Sequence, residues 1–214
     1  MKRFLFTLTA LMLAMFAFIS CNGVDDENTV NGFEYVDLGL PSGTKWATRN
    51  IGAKAAESAG SYFAWGEISE SNYTEAECET CNLSVSDLTK HEIIKNSKLT
   101  ADYDAATYNM GIGWQIPTKR QYEELMTNCT WIWQEKPSGY KVVAKNGNSI
   151  FLPTTGYMSE GRNLNYANQG FYWTSEIESD SHQNAIGFGF SSNEYNTKSY
   201  YRDGGRCIRA ITTK

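Results

Sequence analysis

Apolar positions along the chain fall into two regimes. Residues 4–19 form a run of 16 positions broken only by Thr7 and Thr9. Beyond residue 33, apolar residues come in short groups divided by Gly, Pro, Asn and Asp, the pattern of short strands and turns. Residues 35–38 read as a strand and residues 45–48 as its return. Leu40-Pro41-Ser42-Gly43-Thr44 between them reads as a turn, since proline presets φ and glycine accepts positive φ. Residues 61–67 form another strand-like run rich in aromatics. Residues 68–100 are polar and irregular, with a short helix predicted around 90–95. Asp104 is placed to cap a helical turn over 105–110, which Gly111 closes. Thr118-Lys119-Arg120-Gln121 is a capping box, and Tyr122, Leu125, Met126 and Cys129 follow at helical spacing as one buried stripe.

The remainder predicts β-structure. Residues 140–143 and 149–152 flank Asn146-Gly147, a hairpin signal. Ile186, Phe188 and Phe190 alternate with Gly187 and Gly189, which predicts one buried face and one face of bare backbone. Cys207, Arg209 and Ile211 alternate with Ile208 and Ala210 in a final strand. The class is α+β: an antiparallel sheet, few short helices and long loops.

The long apolar run has a different purpose. Lys2 and Arg3 precede it. As a helix it would reach about 24 Å, short of the roughly 20 residues needed to span a bilayer. It closes on Phe18-Ile19-Ser20-Cys21, a small residue followed directly by cysteine. That is the arrangement of a lipoprotein signal, in which Cys21 is acylated and becomes the new N-terminus. An ordinary signal peptide with a free Cys21, or an uncleaved anchor, are the competing readings. The predicted organisation is a signal peptide over 1–20, a flexible acidic tether over 21–32 and one domain over 33–214. The acidic stretch after Cys21 resembles the surface-export signal of Bacteroidetes lipoproteins, which implies an outer-membrane lipoprotein displayed at the cell surface.

Composition narrows the chemistry. With 19 Lys and Arg against 24 Asp and Glu, the net charge is −5. No basic stripe interrupts that balance, so no nucleic-acid partner is expected. Hydrophobic residues at 41% and charged residues at 20% exclude a disordered chain. His91 and His182 are too few for a multi-histidine metal site and lie in no catalytic motif.

Several motifs are familiar in order. Tyr35-Val36-Asp37-Leu38-Gly39-Leu40-Pro41-Ser42-Gly43-Thr44-Lys45-Trp46-Ala47-Thr48 is followed by Tyr62-Phe63-Ala64-Trp65-Gly66-Glu67 and Gly113-Trp114-Gln115-Ile116-Pro117-Thr118. Asn128-Cys129-Thr130-Trp131, Gly147-Asn148-Ser149-Ile150-Phe151-Leu152-Pro153 and Tyr172-Trp173-Thr174-Ser175 come after them. Together these resemble the Fibrobacter succinogenes major paralogous domain family, abundant in Bacteroidetes lipoproteins. The chain departs from it at Gln115, where arginine is usual, at Thr174, where serine is usual, and in the closing Gly205-Arg206-Cys207-Ile208-Arg209-Ala210-Ile211. The resemblance implies a C-type-lectin-like fold. It implies no enzyme activity, because the family has none generally established.

The residues themselves favour recognition over catalysis. Glu67, Asp102, Asp104 and Glu160 are available as a glycosidase pair but read as caps and surface charges. Cys207 invites comparison with formylglycine-generating enzymes, which share the lectin-like fold, but the second cysteine motif they need is missing. Trp173-Thr174-Ser175 lacks the Asn-Asp pair of lectin calcium sites. Asp102-Tyr103-Asp104 offers two carboxylates where calcium takes 6–8 oxygens, so neither metal nor other cofactor is expected. Cys78, Cys81, Cys129 and Cys207 allow two disulfides in three pairings, and a Cys129–Cys207 bond would pin the helix to the final strand. The strongest binding signal is a late cluster of aromatics and amides. Tyr157, Asn163, Asn165, Tyr195, Tyr200 and Arg202 are its expected surface, and Phe171 and Trp173 its expected core. The expected function is a non-catalytic lectin-like domain that binds a glycan or protein ligand. A structural or assembly accessory without a small ligand is the alternative, and a hydrolase the third.

Overall fold

The structure, a computed structural model, describes residues 28–71, 73, 74, 76–179 and 181–214. The signal peptide, Cys21 and most of the tether lie outside the described residues. Sheet dominates, at 39% strand against 14% helix, and the fold is α+β.

The domain begins earlier than residue 33. Thr29–Val30 (β1) and Phe33–Asp37 (β2) form a hairpin. Asn31 and Gly32 turn it with φ of 52° and 78°, the paired positive values that an Asn-Gly turn supplies. Val30 is buried, and its carbonyl accepts from Trp114 Nε1 at 3.0 Å. Residues 29–32 therefore form a hairpin with β2 and place Val30 in the core. Lys45–Ala47 (β3) pairs antiparallel to β2, with Trp46 opposite Val36. The turn between them closes through Gly43 N–H to Leu40 O at 2.9 Å.

The polar excursion holds its helix sooner than predicted, over Val85–Lys90 (α1). The Ser84 side chain accepts from Asp87 N–H and sets that start. Ile94–Lys95 (β4) and Lys98–Leu99 (β5) follow as a hairpin where helix was expected. Ala105–Met110 (α2) is capped by Asp104 and closed by Gly111 at φ 86°, as the sequence predicts. After Trp114–Gln115 (β6) comes Lys119–Asn128 (α3). Its capping box is formed as expected, and Tyr122 and Leu125 of the apolar stripe are fully buried.

Cys129–Glu135 (β7), Ser138–Ala144 (β8) and Ser149–Pro153 (β9) make a meander turned at Asn146-Gly147, with Val142 opposite Ile150. Tyr157–Ser159 (β10) and Arg162–Leu164 (β11) form a small exposed ribbon. Gly170–Ile177 (β12), Asn184–Ser191 (β13) and Glu194–Tyr201 (β14) are the longest strands, and Ile211–Thr212 (β15) is the last. Two five-stranded sheets result, ordered β1-β2-β3-β15-β6 and β14-β13-β12-β5-β4. All pairings between named strands are antiparallel among the described residues.

The run predicted as a strand over 61–67 forms only an isolated bridge, with Phe63 and Arg206 exchanging backbone bonds at 3.0 and 2.9 Å, and Trp65 N–H donates to Arg202 O at 2.8 Å. The final strand also differs from expectation. Only residues 211–212 are regular, and residues 204–211 are buried throughout. Their alternation divides two cores instead of core and solvent. Ile208 and Ala210 pack with Trp65, Trp114 and Trp173. Cys207 and Ile211 pack with Trp46, Tyr122 and Phe188. The backbone is shared in the same way: Trp173 N–H donates to Cys207 O at 3.0 Å, and Ala47 N–H to Ala210 O at 2.9 Å.

Candidate functional site

The site starts from two missing side chains. Gly187 and Gly189 leave a notch on one face of β13, and the ring of Tyr200 from β14 fills it. A Cβ on Gly187 would stand 2.8 Å from Tyr200 Cδ2, and one on Gly189 would collide with the Tyr200 hydroxyl. The glycine face is thus covered, not bare as the alternation predicts. Tyr200 meets Phe171 edge-on at 5.6 Å between centroids, and Phe171 meets Tyr157 edge-on at 5.3 Å. Three aromatic side chains from β10, β12 and β14 so form a continuous wall of the favoured T-shaped contacts.

Arg206 lies against that wall and is 5% exposed. Its guanidinium carbon is 4.3 Å from the Trp173 ring centroid, 4.5 Å from that of Tyr200 and 5.6 Å from that of Tyr157, within cation–π range of all three. Nη1 donates to the carbonyls of Tyr201 at 3.0 Å and Gly204 at 3.2 Å. Burial pushes its pKa down to about 10, so it keeps its charge at neutral pH.

Wall and cation enclose an open cleft of about 740 Å³, within the size range of small-ligand sites. Ser159, Asn165, Gln183 and Asn184 supply a polar rim, and the exposed ring of Tyr201 stands at its edge. Asn184 Oδ1 is buried without a hydrogen-bond partner, which leaves an acceptor unused beside the cleft.

Of the residues expected at a binding surface, Tyr157, Asn165 and Tyr200 line this cleft. Asn163 and Tyr195 do not. The Asn163 amide braces the chain, donating to Tyr62 Oη at 2.7 Å and to Thr155 O at 3.2 Å. Tyr195 stacks on Trp131 with centroids 4.5 Å apart, against the β7–β8 pair. Arg202 is a correction: it is fully buried, not at the surface. Its Nη2 donates to the carbonyls of Cys81 at 2.8 Å, Leu83 at 2.7 Å and His182, and its guanidinium lies 5.8 Å from the Trp65 ring. The acceptors come from segments 20 and about 120 residues away, so nothing local in the sequence announces the burial. Trp173 is buried as expected, whereas Phe171 is only partly so, because its ring lines the cleft between Tyr157 and Tyr200. Arg206 is the residue that sequence reasoning misses: it stands in the closing Gly205–Ile211 motif, just beyond the aromatic–amide cluster.

The cysteines pair in part. Cys78 and Cys81 form a disulfide, and Cys81 lines one edge of the cleft. Cys129 and Cys207 are free, so the proposed bond between helix and final strand is absent. Cys207 points into the neighbourhood of Tyr62 and Thr155, and burial pushes its thiol well above the ordinary range. The carboxylates are engaged singly. Asp104 accepts from the N–H groups of Ala106, Thr107 and Ile116 at 2.8, 3.0 and 2.9 Å, and burial raises its pKa. Glu67 accepts from Thr80 N–H at 3.1 Å, and Glu160 pairs with Arg162 in the open. His91 and His182 are exposed. Among the described residues no group of three or more His, Cys, Asp or Glu is placed to hold a metal ion, and no helix is long and apolar enough to cross a membrane.

A second hollow, of about 850 Å³, flanks α3. Several of its polar groups are already occupied: Glu124 with Ser42, Gln121 with Thr118, and Asp104 with α2. No family model, curated protein or solved structure matches this chain.

Proposed function

We propose that this protein is an outer-membrane lipoprotein, anchored through Cys21 and displayed at the cell surface, whose lectin-like domain binds a glycan in the aromatic cleft without transforming it. The cleft carries the reading. Three of the residues picked from sequence converge there with Phe171, Arg206 and an amide–hydroxyl rim. Aromatic faces suit the C–H faces of a sugar ring, and unspent amide groups such as Asn184 suit its hydroxyls. A hollow of this size fits a small polar ligand better than the flat patch that a protein partner or assembly subunit would engage. The C-type-lectin-like plan follows from the motif resemblance and agrees with the α+β class.

Binding is checked on a glycan array with the detergent-solubilised full chain. Tyr157→Ala and Tyr201→Ala are expected to weaken capture tenfold or more, equivalent to about 1.4 kcal/mol, while Tyr195→Ala leaves it unchanged. A blank array, or full capture by Tyr157→Ala, would overturn the assignment. The anchor is checked separately. Cells fed alkyne-tagged palmitate should label the wild-type protein and not Cys21→Ser; equal labelling of both would move the lipid elsewhere.

A further inference from the structure

Arginine is the costliest residue in this fold to leave without a partner, and the three buried arginines solve that problem differently. Arg209 is fully satisfied: Nε donates to Asn50 Oδ1, Nη1 to Ala47 O and Thr48 O, and Nη2 to Phe151 O. Arg202 turns Nη2 to three carbonyls, keeps Nε and Nη1 buried without a partner, and lines no part of the cleft. Arg206 alone of the three lines the cleft, so it is the one whose open valence a ligand can reach. Its Nη1 is occupied by two carbonyls, its Nε is buried with no partner, and its Nη2 makes no hydrogen bond among the described residues. None of the ion pairs among the described residues includes it. Three ring faces hold the guanidinium in place. The Asp203 carboxylate acts on it only from beyond ion-pair distance, and a buried cation without a direct partner is a standing cost, because buried charges in proteins are ordinarily paired. An arginine fork also matches a carboxylate in a way that a neutral hydroxyl cannot use.

We infer that the ligand carries a carboxylate, and that the cleft recognises a carboxylated sugar by pairing its acid group with the Arg206 guanidinium. The inference rests on the cleft being the binding site and specifies what that site selects. Asp203, half-buried on the same cleft, sets the limit on the ligand. Its carboxylate forms no ion pair with Arg206 and repels a second acid group. It accepts from hydroxyls instead. One acid group beside hydroxyl donors is the arrangement of a uronic or sialic type of sugar, and a polyanion such as a sulfated chain is disfavoured.

The test compares the same sugar with and without its charge. Glucuronate- and N-acetylneuraminate-terminated glycans are presented to the full chain beside their carboxyl methyl esters. The acids are expected to bind at least tenfold more tightly than the esters, and added salt should narrow that gap, as for any charge pair. Arg206→Gln should abolish the difference between acid and ester. Because replacing a buried guanidinium also disturbs folding, the comparison on the wild-type protein decides the matter by itself. If acid and ester bind equally and Tyr157→Ala still abolishes both, the acid pairing is wrong and the cleft stands. If neutral glycans bind and acidic ones do not, the pairing is likewise wrong. If no glycan of either kind binds, the cleft assignment falls, and this inference with it.

Discussion

Arg209→Ala is expected to lower the stability of the domain by at least about 4 kcal/mol, the largest loss from any single truncation considered. The side chain is fully buried and donates to four acceptors: Asn50 Oδ1 at 2.8 Å, Ala47 O at 3.2 Å, Thr48 O at 3.3 Å and Phe151 O at 2.8 Å. These belong to β3, the loop after it and β9, so one guanidinium joins the first sheet to the meander. Each buried acceptor left without a donor costs about 1–3 kcal/mol, and the emptied volume adds a cavity cost. Arg209→Lys should recover only part, since a point charge cannot reach acceptors arranged around a planar fork. Urea unfolding followed by tryptophan fluorescence measures both. A loss under about 1 kcal/mol for the alanine variant would mean that water takes over the acceptors, and the sheets are then held by something else.

Gly187→Ala is expected to cost about 2 kcal/mol, the usual range for overpacking a filled site, and to reduce glycan capture at the same time. The added methyl would stand 2.8 Å from Tyr172 O, which is backbone and cannot swing away, and 2.8 Å from the Tyr200 ring. Tyr200 must leave its notch, and the cleft wall moves with it. Gly147→Ala is the matched control. Its Cβ meets nothing within 4 Å, but φ is 87°, so it should cost about 1 kcal/mol from backbone strain alone. Thermal unfolding together with array binding separates the two. Normal capture by folded Gly187→Ala would disconnect the glycine notch from the binding wall.

What the sequence revealed and what it hid divide along contact range. The α3 capping box, the Asp104 cap, the Gly111 stop and the Asn146-Gly147 hairpin depend on residues within a few positions of one another, and each is present in the fold. The Asn31-Gly32 turn carries the same kind of local signal. The α1 start lies in Ser84 and Asp87, a cap inside a polar stretch without apolar periodicity, ahead of the helix the sequence predicts. The site was half legible. Tyr157, Asn165 and Tyr200 stand out as aromatics and amides in a polar run. The exchange of roles between Arg202 and Arg206 was not legible, since both sit in similar surroundings along the chain. Distant carbonyls bury the first, and the rings of Tyr157, Trp173 and Tyr200 draw the second to the cleft.

The segment over 204–211 gives alternate side chains to two clusters and its peptide groups to partners on both sides. Neither cluster can come apart without stripping the other of the strip they hold in common. The domain should therefore melt in one transition, and a protease that nicks this strip would release both halves together.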